Sequence, residues 1–110
     1  MTSLTPRSLV GALLFAAAAL PVAAQDQGVA AGLALIEKNC ARCHAVGRTG
    51  TSPRPEAPPF RDLSRRYPID SLAEALAEGI VTGHNDMPEF RFAPHEISAI
   101  LAYLKSIAAP

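Results

Sequence analysis

The chain has 110 residues, 49% of them hydrophobic, with ten basic and ten acidic side chains. A balance so near neutrality argues against nucleic acid as a partner, and two cysteines are too few for a disulfide framework. No tryptophan is present and aromatic side chains are sparse, so whatever core forms is small. Residues 1–7 carry one positive charge, Arg7, and no acid. Leu9 to Leu20 is an unbroken apolar or small-residue run, followed by Pro21 and Val22-Ala23-Ala24. These are the three regions of a secretory signal peptide, with small residues at the −3 and −1 positions of a cut after Ala24. A helix over that run spans only about 18 Å at ~1.5 Å per residue, short of a ~30 Å hydrocarbon core, so export is a better reading than an anchor. Residues 1–24 are therefore expected to be a leader, and 25–110 one periplasmic domain with no integral membrane span. Loss of Arg7 leaves nine basic residues facing ten acids.

Gln25 to Gly28 is a polar start, expected to fray. From there Val29, Leu33, Ile36 and Cys40 fall on one face of a helix, with Gly32 among them. Glycine inside a helix costs up to about 1 kcal/mol, which points to close approach by another backbone. The helix runs into Cys40-Ala41-Arg42-Cys43-His44. Two thiols three positions apart, followed at once by histidine, form the attachment signature of a c-type haem. Each thiol adds to one vinyl group, and the imidazole supplies the proximal iron ligand. Three other readings compete. A disulfide-exchange motif wants a βαβ context that the flanks lack. Half a zinc site needs a second ligand pair, and beyond His44 only His84 and His95 remain, well apart. A structural disulfide closing so short a loop stabilises little.

With this motif the sequence resembles the class I cytochromes c, small electron-transfer proteins with one covalent haem, over the whole of residues 25–110. The resemblance implies an all-α cytochrome c fold. Three to four short helices and loops wrap around one haem c, attached through Cys40 and Cys43, and the N- and C-terminal helices cross. In that family a glycine lies eight residues before the first cysteine and a bulky residue four before it; Gly32 and Ile36 stand there, Ile36 in place of the usual aromatic. The buried macrocycle would supply the apolar mass that the composition lacks, so the haem-free chain is expected to fold poorly.

Ala45 to Phe60 has no helical period and holds four prolines and two glycines, so it reads as a loop with polyproline II stretches. Family members use a proline carbonyl in this region to orient the proximal imidazole, and Pro58 in Ala57-Pro58-Pro59-Phe60 matches best. Asp62 to Tyr67 is expected to form one helical turn, ended by Pro68. A helix follows, with Ser71-Leu-Ala-Glu74 as a capping box, a face of Leu72, Ala75, Leu76 and Ile80, and Gly79 to stop it. The last helix opens at Pro94, with Ala93 as a weak cap, and carries Ile97, Ile100, Leu101 and Leu104, with Tyr103 beside them. By resemblance Ile100 and Tyr103 meet Gly32 and Ile36. His95, in the first turn, is expected to face solvent.

Met1 leaves with the leader, so Met87 is the one methionine of residues 25–110. Pro88 holds it extended, and the resemblance makes Met87 the distal ligand opposite His44. His84 is the rival, as a bis-His ligand, a solvated loop residue or a donor near the site. Iron held by His44 and Met87 has no open position, which implies a one-electron carrier rather than an enzyme. Its expected partners are a dehydrogenase, a cytochrome complex or a terminal oxidase, and it is a monomer or a dehydrogenase subunit. The alternative is a haem enzyme or gas sensor with a labile distal ligand. Residues 42–66 hold six arginines against two acids, and residues 67–96 six acids against Arg91. Segregated in space, these blocks make a dipole able to steer a docking partner.

Overall fold

The computed structural model describes residues 1–3, 10–19, 21–79 and 86–110. The expectations for Ile80 and His84 lie outside the described residues. Among those residues the regular structure is entirely helical.

Helix α1 spans Val22–Asn39. It starts well before Val29, so the polar stretch Gln25 to Gly28 is helical rather than frayed. Its Ala and Gln residues are good helix formers, and Pro21, at φ −61°, sets the chain direction just ahead of the first turn. A 3-10 turn covers Phe60–Arg65, slightly ahead of the turn expected at Asp62, and a second covers Ile69–Ser71. Helix α2 spans Leu72–Glu78. Ser71 makes no side-chain capping bond, because it belongs to the preceding 3-10 turn and has helical angles, φ −68° and ψ −13°. A capping hydroxyl needs an extended backbone to reach the free N–H groups, so the expected box does not form. Gly79 ends α2 at φ 103°, a conformation that favours glycine.

Helix α3 spans Pro94–Ile107. Ala93 offers no side-chain acceptor, but Glu96 reaches back and its Oε1 accepts from the Ala93 N–H at 3.0 Å. That single bond satisfies one of the first-turn donors. Ile97, Ile100, Tyr103, Leu104 and Ile107 are buried, Leu101 only half-buried, and His95 is exposed.

The two long helices cross with their backbones in contact. A methyl group on Gly32 would overlap the Ala99 carbonyl oxygen, 2.6 Å from the Ala99 carbonyl carbon and 2.9 Å from Tyr103 Cβ. The resemblance implied Ile100 and Tyr103 at this crossing; Tyr103 is there, and Ala99 is closer still, the small residue one turn before it. Around it Ile36, Phe60, Ile69, Ile100, Tyr103, Leu104 and Ile107 form one buried cluster, with Leu72 and Leu76 of α2 packed against it. The C-terminal tail closes on the first 3-10 turn, the Ala109 N–H donating to the Arg61 carbonyl at 2.9 Å.

Gly32→Ala should destabilise the protein by about 1–3 kcal/mol in denaturant melts, since overpacking against a backbone outweighs the gain in helix propensity. Gly28→Ala, with no atom within 4 Å of the added carbon, should be neutral or slightly stabilising.

Candidate functional site

Helix α1 delivers the first cysteine. Cys40 is its C-terminal cap and its N–H donates to the Ile36 carbonyl at 2.8 Å. The chain then tightens into a turn in which the Cys40 carbonyl accepts from both the Cys43 N–H (3.2 Å) and the His44 N–H (3.0 Å). Both thiols are free and half-buried. Burial pushes the Cys40 thiol up to about 11. A disulfide-exchange nucleophile needs the opposite shift, so the site does not favour thiolate chemistry. Among the described residues, which leave out His84, no group of three or more His, Cys, Asp or Glu suited to a metal ion occurs.

His44 is fixed from two sides. Its Nδ1 lies 2.8 Å from the Pro58 carbonyl oxygen. A carbonyl can only accept, so Nδ1 carries the proton and donates. The neutral imidazole then presents its lone pair on Nε2, the atom that a metal would take. Against the ring packs buried Phe60, with centroids 4.7 Å apart and planes tilted by 40°.

The long loop after His44 has no helix or strand ladder, and cross-connections tie several of its backbone groups. Ser52 Oγ accepts from the Ala45 N–H at 3.0 Å. The Arg54 N–H donates to the Cys43 carbonyl at 3.1 Å, and the Phe60 N–H to the Ala45 carbonyl at 2.9 Å. Helix α3 adds two ties: the Tyr103 hydroxyl donates to the Val46 carbonyl at 2.6 Å, and Arg48 Nη2 to the Ser106 carbonyl at 2.6 Å. Burial and the nearby Glu37 carboxylate raise the Tyr103 phenol above its ordinary value of 10.0, with Arg48 opposing.

Cys40, Cys43, His44 and Pro58 thus form one cluster. Met87 is half-buried in a bend ahead of α3, and its neighbour Asp86 pairs with Arg54, Oδ2 to Nη2 at 2.7 Å. Sequence reasoning passed over Ser52, Arg54 and the Tyr103 hydroxyl. The available signal was chemical rather than periodic: a proline-rich loop without a ladder needs side chains to satisfy its backbone. The donor set fits a covalently attached haem: two free thiols a turn apart, an imidazole with its second nitrogen already engaged, and an apolar floor of Ile36 and Phe60.

Residues 27–104 match the family model described as cytochrome C oxidase, cbb3-type, subunit III. No curated protein and no solved structure matches the chain.

With the Tyr103 phenol raised in the folded state, its neutral, donating form contributes stability that is complete below pH 10 and lost as pH rises through the folded value. Tyr103→Phe should cost about 1 kcal/mol at neutral pH and flatten the alkaline decline, as followed by denaturant melts across pH.

Proposed function

Since the chain belongs to the cbb3-type cytochrome c oxidase subunit III family, and is thus a c-type cytochrome with an electron-transfer role, we propose that it is a periplasmic one-electron carrier with a single haem c. Cys40 and Cys43 would make the thioether attachments, and His44 and Met87 would hold the iron. The observation that carries this reading is the His44 bond to the Pro58 carbonyl, which fixes the tautomer and leaves Nε2 for iron. When bound, the haem supplies a reversible one-electron couple.

The chain's own residues determine how that couple behaves. His44 cannot turn without breaking its bond to Pro58 and leaving Phe60. A neutral thioether from Met87 favours the reduced state and raises the potential relative to bis-His ligation by His44 and His84. With His44 and Met87 both holding the iron, no position on it would be left for a substrate, so the reading is a carrier and not an enzyme. Residues 1–24 export the chain and 25–110 form the domain. Among the described residues no helix is long and apolar enough to cross a membrane.

The partners are redox proteins: a dehydrogenase or cytochrome complex as donor, and a terminal oxidase as acceptor, in keeping with the oxidase named in the family description. The protein works as a free monomer or as a subunit of such an enzyme. The arginine-rich and acid-rich blocks support steering, although Arg54 and Asp86 join them at one point.

In oxidised holoprotein, Met87→Ala should abolish the weak sulfur-to-iron absorption band at the red edge of the visible spectrum and open the reduced protein to carbon monoxide. Ready carbon monoxide binding by the unmutated protein at neutral pH would favour a gas-binding or enzymatic role instead. Electron transfer to the physiological partner should slow markedly with added salt, and a salt-independent rate would remove steering.

A further inference from the structure

The segment that carries Met87 is held at both ends. At its base the Phe92 N–H donates to the Leu76 carbonyl at 2.9 Å, and Glu89 packs beside Gly79. At its other end, among the described residues, it is joined to the rest of the chain through Asp86, whose Oδ2 lies 2.7 Å from Arg54 Nη2. Arg54 is itself pinned through its backbone. Its N–H donates to the Cys43 carbonyl at 3.1 Å, its carbonyl accepts from the Ala57 N–H at 3.0 Å, and its Nε faces Glu56 Oε2 at 3.7 Å. An arginine whose backbone N–H is anchored to the residue before His44 therefore grips, through its guanidinium, the carboxylate of the residue before Met87.

We propose that Arg54 is a positioning residue that latches the Met87 segment to the haem-attachment motif and suppresses the state in which Met87 is detached. The inference rests on Met87 being the distal ligand. An ion pair in water between two free side chains contributes little, because holding both in place costs about what the attraction returns. Here the arginine backbone is already fixed on both its polar groups, so less freedom is lost when the pair forms. The latch acts on a two-state equilibrium. An added ligand binds only when Met87 has left, so its apparent affinity scales with the detached fraction. The acid opposite Arg54 besides Asp86 is Glu56, which is farther away and more exposed, and it competes for the cation without reaching the Met87 segment.

The test is imidazole titration of the oxidised holoprotein, followed by loss of the red-edge sulfur-to-iron band. Arg54→Gln and Asp86→Asn should each raise apparent imidazole affinity about threefold, and the double variant no further than either one. Added salt should raise the affinity of the unmutated protein and leave that of the double variant unchanged. Unchanged affinity in both single variants, or effects that multiply in the double, overturns the latch. A Met87→Ala protein that keeps the band overturns the ligation reading itself. Loss of the band in Met87→Ala together with unchanged affinity in the single variants overturns the latch alone.

Discussion

Everything in this fold depends on two helices being able to touch backbone to backbone at Gly32 and Ala99. The domain has few large side chains with which to fill a wider gap, so close approach replaces bulk. Gly32, Ile36 and Cys40 are spaced by four residues along one side of α1, and each has its own task. The first meets α3, the second is the most deeply buried side chain among the described residues, and the third ends the helix with a thiol. The place where α1 crosses α3 thereby determines where the attachment motif leaves the helix. A side chain on Gly32 would tilt the whole arrangement, not merely strain one contact.

The loop beyond the motif is organised by a different principle. It has no repeating hydrogen-bond pattern, yet the Cys40, Cys43, Ala45, Val46 and Pro58 carbonyls all find donors. Those donors come from the turn itself, from the loop's own backbone, from an imidazole and from the α3 tyrosine. Such a segment is ordered only when the elements around it are in place. Tyr103 links the two principles, because it meets the helix crossing through its Cβ and ties down the loop through its hydroxyl.

How much of this could be seen in the amino-acid sequence follows from the range of the forces involved. The α3 stripe was legible because a period near four, started by Pro94, reflects burial on one face, although Ile107 lay beyond the pattern considered. The attachment motif was legible because covalent chemistry demands fixed spacing. Gly32 was legible as a cost without local explanation. The start of α1 was not, since the alanines on both sides of the polar stretch carry the helix through it. The Ser71 cap failed because its dihedral angles are set by the preceding 3-10 turn, which four letters do not reveal. Arg54 was the least visible. Its partners are Cys43 in one direction and Asp86 in the other, and no local pattern connects positions so far apart.

The acceptor that orients His44 belongs to the main chain. Codon changes at position 58 can alter the ring that stiffens the loop, but none of the twenty amino acids lacks a carbonyl. Inherited variation can therefore disturb the imidazole only by rerouting the polypeptide, through an insertion, a deletion or a changed turn. Selection on this part of the molecule should weigh loop length and path more heavily than residue identity, and lineages could drift in composition here while keeping the same histidine geometry.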